Sequence, residues 1–144
     1  MFKRILVPTD GSELSGRAVA TAISLAKTLG AEIFTLCVKE PFPYGAVAEM
    51  QPTPPQEFFD AQERSAAGHV REVVDACDRE GIVCHASTVE GLQPWEAIVE
   101  FAQKERCDLL VMGSHGRGGF ASLFLGSETQ DVLKHATVPV LVVR

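Results

Sequence analysis

The chain has 144 residues, of which 46% are hydrophobic and 22% are charged, and its formal net charge at pH 7 is -6. This length and composition predict a single soluble globular domain, residues 1–144, that buries a substantial core. The acidic balance argues against a nucleic-acid partner, so a bound anion has to be held by local groups and not by a general basic field.

The cysteines and the N-terminus both favour a cytoplasmic protein without a membrane partner. There is no C-x-x-C pair and no histidine at a zinc-ligand spacing, so we expect buried free thiols and no metal site. The thiols belong to Cys37, Cys77, Cys84 and Cys107. The apolar run Ile5 to Val7 is too short for a signal peptide, and no later run approaches the length of a membrane span.

The first elements alternate between strand and helix patterns. The apolar run Phe2–Val7 predicts a strand. A helix follows and ends at Gly30, which is typical of a C′ glycine, and either Ser12 or Ser15 is suited to cap its start. Glu32–Val38 predicts the second strand.

A proline-rich stretch, Lys39–Gln56, interrupts this pattern. It predicts a long irregular loop that serves as a lid, a partner surface or a mobile segment. It is not a domain linker, because the residues after it complete the same alternating pattern.

The second half of the chain supplies the remaining elements of one α/β domain. They are a helix over Glu57–Glu80, a strand over Val83–Val89, a helix from Pro94 to about Arg106, a strand over Leu109–Met112, a short helix to about His135 and a strand over Val138–Val143. Five strands alternating with four helices predict three layers, with a mostly parallel sheet between the helices. Ligands of such sheets bind where the strand order reverses, so we expect the Pro8–Ser12 turn and the Gly113–Gly126 loop to form two walls of one cleft.

The loop after Leu109–Met112 carries the strongest functional signal. It is rich in glycine and leads to a helix for which Ser127 is the predicted N-cap, because Gln130 lies three residues later, as a capping box requires. A strand, a glycine-rich loop and a capped helix together offer backbone N–H groups and a helix N-terminus to a phosphate.

Three glycine patterns are known for phosphate-binding loops of this kind, and this sequence matches one of them in full. The Walker A pattern is absent from the sequence. The stretch from Gly116 to Ala121 fits G-x-G-x-x-A, but it begins beyond the strand end, and the acidic residue expected about twenty residues later is missing. The third pattern, G-x2-G-x9-G-[ST], is matched at every fixed position, by Gly113, Gly116, Gly126 and Ser127.

With these residues the chain resembles the nucleotide-binding branch of the universal stress protein family. The similarity also covers Ile5 to Ser12, Ala31-Glu32 and Pro139 to Val143, and so spans essentially the whole chain. It implies a flavodoxin-like or Rossmann-like fold of the adenine nucleotide alpha hydrolase-like type. It also implies ATP, with ADP or AMP as alternatives, between the first and fourth strands, and Mg²⁺ bound through the phosphates. A homodimer paired through the last strand, Val138–Val143, is implied as well.

Carried over by position, the resemblance assigns a role to each site residue. Asp10 contacts the ribose hydroxyls, and an alternative is that it only forms an Asx turn. The adenine slot is lined by Pro8, Thr9 and Val38, with Met112 against the nucleoside. The phosphates meet the backbone and hydroxyl groups of Gly113, Gly116, Gly126 and Ser127. Independently of the resemblance, Arg117 is the one cation of the loop, and its charge suits it to pair with a phosphate oxygen.

Glu128 departs from the family pattern, which often has a small apolar residue there. A carboxylate in the first turn suits the helix dipole, but it repels a triphosphate unless it points elsewhere or a metal lies between them. It therefore predicts weaker ATP affinity or a preference for a diphosphate or monophosphate.

The function expected from these residues is a nucleotide-dependent stress-response or signalling homodimer with an unidentified protein partner. The alternative is a slow ATP hydrolase or phosphoryl-transfer enzyme that uses the same site. For that reaction Glu128 and His115 are the only candidate bases, and no motif places either of them. A third interpretation is a dimeric module without a physiological nucleotide.

Overall fold

The computed structural model describes residues 1–41, 56–116 and 125–144. Most of the proline-rich stretch and the predicted phosphate ligand Arg117 lie outside the described residues, so the predictions for them stay predictions.

The described residues form four helices and five strands. In chain order they are β1 (Arg4–Pro8), α1 (Glu13–Leu29), β2 (Glu32–Lys39), α2 (Gln56–Arg79), β3 (Cys84–Glu90), α3 (Pro94–Lys104), β4 (Leu109–Gly113), α4 (Ser127–His135) and β5 (Val140–Val143). The strands make one sheet in the order β3-β2-β1-β4-β5, and every pair is parallel. The predicted α/β architecture is confirmed, and the sheet is entirely parallel where we expected a mostly parallel one.

Helices cover both faces of the sheet, which is why its central strands are continuously apolar. In β1, Ile5 and Val7 pack into the cluster that includes residues of α1 and α2. Leu6, between them, packs with residues of α3 and α4 on the opposite face. All three side chains have 0% of their surface exposed. The period-two alternation of a strand thus divides β1 between two cores.

The strand order reverses at β1. Its register places Ile5 beside Leu109 of β4 and beside Ile33 of β2, so these three strands are neighbours with β1 in the middle. The segments that leave β1 and β4 at their carboxyl ends therefore begin side by side. This is the switch point at which parallel sheets bind ligands.

Local capping agrees with the sequence at α1 but not at α4. Ser12 is the N-cap of α1 and accepts a hydrogen bond from the Ser15 N–H at 3.2 Å, as predicted. The N-cap of α4 is Gly126 and not Ser127, so that prediction was wrong. The reason is tertiary, because the Gly126 N–H donates to Ser114 O at 2.7 Å and fixes extended backbone one residue earlier. The Gln130 side chain then reaches Leu125 O instead of closing a capping box.

Candidate functional site

The turn after β1 is held by hydrogen bonds at each residue. The Thr9 N–H donates to Leu36 O at 2.9 Å and extends the pairing with β2. Oδ1 of Asp10 accepts from the Ser12 N–H at 2.9 Å, which is an Asx turn. Gly11 has a φ of 77°, a conformation that glycine adopts without a Cβ penalty. The Asx turn that the sequence analysis gave as the alternative role of Asp10 therefore forms, and it uses one of the two carboxylate oxygens.

The segment after β4 is fixed at both ends. The Ser114 N–H donates to Val143 O at 2.8 Å, and Ser114 O accepts from the Gly126 N–H at 2.7 Å. The Thr129 hydroxyl, in a residue that is only 2% exposed, donates to Gly113 O at 2.9 Å. These bonds hold the start of α4 against the end of β4. The N-terminus of α4, where backbone N–H groups lack helical partners, therefore lies at the switch point.

The two segments meet at Asp10 and Gly116. A Cβ built on Gly116 would lie 2.7 Å from Oδ2 of Asp10, which is closer than real Cβ contacts allow. The walls that the sequence placed at one cleft are therefore in contact. Asp10 directs one carboxylate oxygen into its own turn and the other towards the glycine loop.

The other motif glycines are explained by packing within the protein. A Cβ on Gly113 would lie 2.9 Å from Leu14 Cγ of α1. A Cβ on Gly126 would lie 3.0 Å from both Cα and Cβ of His115. Close packing within the protein explains these two glycines without a ligand. Gly116 differs from them, because its neighbour is Asp10, on the other wall of the cleft.

The residues predicted to contact adenine and nucleoside lie at the carboxyl ends of the three central strands. Met112, at 7% exposed, and Val38 belong to or pack against the same cluster on the α3 and α4 face. Pro8 is half-buried at the end of β1. Thr9 is 8% exposed, and its hydroxyl lies 3.3 Å from the Ser15 hydroxyl under α1. The structure thus brings these side chains to the edge of the sheet that also carries Asp10.

Glu128, in the first turn of α4, is hydrogen-bonded to another helix. Its Oε2 accepts a hydrogen bond from the backbone N–H of Trp95 at 2.7 Å. Trp95 lies in the first turn of α3, whose N-cap residue, Gln93, makes no capping bond with its side chain. Sequence reasoning missed this partner, although the weak cap before Pro94 is a signal that an acceptor from elsewhere is needed.

His69 of α2 is a second residue that the sequence did not associate with the site. Its imidazole occupies the space that a Cβ on Gly11 would need, so α2 packs directly on the turn that holds Asp10. Beside this contact is a cavity of about 190 Å³, lined by residues of the turn, α1 and α2. None of its lining residues belongs to β4 or to α4, so the cavity is separate from the cleft between β1 and β4.

In the described residues, the thiols and the acidic groups give no sign of a metal centre. All four cysteines are free thiols; Cys37, Cys77 and Cys107 are buried, as predicted, whereas Cys84 is only half-buried. Burial raises the pKa of the Cys107 thiol to about 11, so this group is a poor nucleophile at neutral pH. In the described ranges, no three or more His, Cys, Asp or Glu side chains are grouped to hold a metal ion.

None of the described helices has the combination of length and apolar character that crossing a bilayer requires.

Comparison with known proteins identifies the family. The model of the universal stress protein family matches residues 1–144. The chain belongs to the universal stress protein family. Universal stress protein MJ0531 of Methanocaldococcus jannaschii is 36% identical over 145 residues, which cover 100% of this chain and 83% of that protein.

Two solved structures of universal stress proteins share the fold. Protein MJ0577 of Methanocaldococcus jannaschii superimposes with a TM-score of 0.84 at 30% identity, covering 99% of this chain and 96% of that one. A universal stress protein in complex with cAMP gives a TM-score of 0.72 at 27% identity, covering 99% and 97% of the two chains. Members of the family with this fold therefore include a protein that binds an adenine nucleotide.

Proposed function

We propose that this universal stress protein binds ATP in the cleft between β1 and β4 and acts as a nucleotide-dependent stress-response or signalling homodimer. The observation that carries the proposal is the contact between Asp10 and Gly116, because it joins an acidic turn to a glycine loop at the point where the strand order reverses. The cAMP complex of a relative supports an adenine nucleotide as the ligand.

Each part of the nucleotide has a suitable partner in this arrangement. The carboxylate of Asp10 accepts hydrogen bonds from the ribose hydroxyls. The adenine lies against Pro8, Thr9, Val38 and Met112. The phosphates lie at the N-terminus of α4, where the backbone of Gly113, Gly116 and Ser127 offers N–H groups and the helix dipole favours negative charge. The Gly126 N–H is bonded to Ser114 O, so Gly126 serves the site by the close approach of its backbone. Arg117 supplies a positive charge from the same loop.

Mg²⁺ would be bound mainly by oxygen atoms of the phosphates and by water. The described residues contain no group of three or more metal ligands, so no protein cage is available there for this ion. This fits the coordination that Mg²⁺ adopts with nucleotides, in which few protein ligands are needed.

Binding is better supported than hydrolysis. A hydrolase needs a group that positions or deprotonates the attacking water. Both candidate bases already have partners within the protein. The carboxylate of Glu128 is hydrogen-bonded to Trp95 of α3, and Nδ1 of His115 lies 3.3 Å from the hydroxyl of Ser114. ADP and AMP remain the alternative ligands, and a cytoplasmic localisation stays a prediction.

The homodimer is proposed to form through β5. This strand is at one edge of the described sheet, next to β4. Leu141, in the middle of β5, is 39% exposed. An edge strand presents a row of backbone N–H and C=O groups, so an apolar edge strand is well suited to pair with the same strand of a second copy.

Calorimetric titration of the nucleotide-free protein tests the proposed function. We expect ATP with Mg²⁺ to bind with a dissociation constant near the micromolar range, about -8 kcal/mol. Titrations with ADP, AMP and cAMP rank the ligands, and phosphate release in the ATP samples measures turnover. Absence of heat with all four nucleotides would overturn the proposal and leave the fold and the dimer.

A further inference from the structure

The N-terminus of α3 is capped by a residue of α4. Gln93 makes no capping bond, and Pro94 has no N–H to offer, so the Trp95 N–H is the first donor of the helix. It donates to Oε2 of Glu128 at 2.7 Å, a distance typical of a charge-assisted hydrogen bond. The carboxylate is thereby placed at the positive end of the α3 dipole.

Trp95 also contacts the other end of α4. Its indole stacks on the imidazole of His135, with ring centroids 4.2 Å apart and planes inclined by 22°. The indole N–H is fixed by Oε1 of Gln93 at 2.7 Å. α4 has nine residues, so one residue of α3 contacts both its first and its last turn.

The first turn of α4 is the part of the helix that the proposed nucleotide uses. Glu128 follows Ser127 directly, and Gly126 is the N-cap. A Glu128 carboxylate turned towards the phosphates would repel them, whereas the position observed here holds it on the Trp95 N–H. Bound phosphate and the docked carboxylate therefore favour each other.

We propose that Glu128 is a positioning residue that couples the phosphate-binding end of α4 to Trp95 of α3. The inference rests on the proposed function, because it concerns the same site. Linkage makes the coupling reciprocal, so a nucleotide that stabilises the docked Glu128 also changes the surroundings of Trp95.

Trp95 is the only tryptophan of the chain, so its fluorescence reports this coupling directly. We expect ATP with Mg²⁺ to change the Trp95 emission of the wild-type protein. Glu128→Ala should lose this change while calorimetry still detects ATP. The matched control is Asp131→Asn, which removes a carboxylate from the same helix that pairs with Lys134 and not with Trp95. An equal emission change in Glu128→Ala and in the wild type would overturn the coupling.

A second pair of variants tests the direction of the effect without depending on fluorescence. Trp95→Pro removes the N–H donor at a first-turn position that tolerates proline, whereas Trp95→Phe keeps both the donor and an aromatic ring. Release of the carboxylate should weaken ATP binding at least fivefold in Trp95→Pro, with a smaller loss for AMP. Glu128→Gln in the Trp95→Pro background should restore ATP affinity, because the released side chain no longer carries a charge.

The outcomes separate this inference from the proposed function. Wild-type protein that binds no nucleotide in the calorimeter refutes the proposed function. Wild-type protein that binds ATP, but whose ratio of ATP to AMP affinity is the same in Trp95→Pro and Trp95→Phe, refutes the positioning role alone. Circular dichroism of each variant shows that the compared proteins are folded.

Discussion

Gly116 lies against the carboxylate of Asp10, so that a Cβ at position 116 would be 2.7 Å from Oδ2. The carboxylate does not turn away easily, because its other oxygen accepts the Ser12 N–H at 2.9 Å. The contact between Asp10 and Gly116 joins the turn after β1 to the glycine loop after β4. A side chain added at position 116 therefore has to displace the Asp10 carboxylate.

The first prediction concerns the size of residue 116. Gly116→Ala should displace the Asp10 carboxylate and weaken ATP binding about tenfold or more, measured by calorimetry. The matched control is Gly68→Ala in α2, where a Cβ meets no atom within 4 Å. That variant should bind ATP normally and gain about 0.5–1 kcal/mol of stability, because alanine is the better helix former. Equal affinity in the two variants would contradict the contact's role in binding.

The second prediction separates the two oxygens of Asp10. Asp10→Asn keeps a carbonyl oxygen for the Ser12 N–H, so its free energy of unfolding should stay within about 0.5 kcal/mol of the wild type. It loses the charge, and ATP binding should fall about tenfold, because hydrogen bonds to charged acceptors are the stronger ones. Asp10→Ala loses the turn as well and should also be less stable by about 1 kcal/mol in urea denaturation. Unchanged ATP affinity in Asp10→Asn would remove Asp10 from the ligand set.

The third prediction concerns an ion pair between β2 and α2. Lys39 Nζ lies 2.6 Å from Oε2 of Glu63, and this hydrogen bond, with the attraction between the charges, lowers the Glu63 pKa from 4.5. Since the folded-state pKa is the lower one, the pair's contribution to stability is present above pH 4.5 and is lost as the pH falls through the folded value. Lys39→Met should raise the Glu63 pKa towards 4.5 in an NMR titration.

The chain supplies the control for that titration. Lys27 and Glu80 form a similar pair at 2.7 Å, in which Lys27 lowers the Glu80 pKa. Lys27→Met should shift Glu80 and leave Glu63 unchanged, and Lys39→Met should do the reverse. A Glu63 pKa that does not respond to Lys39→Met would show that the pair does not form in solution.

The fourth prediction concerns the proposed dimer. Leu141→Lys places a charge on the exposed side of β5 and should shift the protein towards monomer in analytical ultracentrifugation. Val83→Lys is the control, since Val83 is 56% exposed and precedes β3 at the opposite edge of the sheet. Dissociation by Val83→Lys but not by Leu141→Lys would move the interface to the other edge.

The order of elements and the strand ends were predictable because they are encoded locally. Apolar runs such as Leu109–Met112 are short and rich in branched residues, and each forms a strand within two residues of its predicted limits. The last strand begins at Val140, two residues after its predicted start, and Pro139 directly precedes it. The Pro139 carbonyl accepts the Leu110 N–H at 3.0 Å.

The N-cap of α4 was predicted wrongly because its start is set by a distant partner. The spacing of Ser127 and Gln130 fits a capping box, but the bond from Gly126 to Ser114 takes precedence and makes Gly126 the cap. The local preference of serine for the N-cap position is thus overridden by a backbone hydrogen bond between residues that are distant in the chain.

The sequence alone determined the order of helices and strands, through hydrophobic periodicity, and the resemblance to the family, through the spacing of glycines within one segment. The tertiary structure decided the surroundings of the site: that Glu128 docks on Trp95, 33 residues away in the chain, and that His69 packs on Gly11. The physical reason is that these contacts join different helices and turns. They form only when α3 packs against α4 and α2 packs against the turn after β1. No local pattern of residues specifies that geometry.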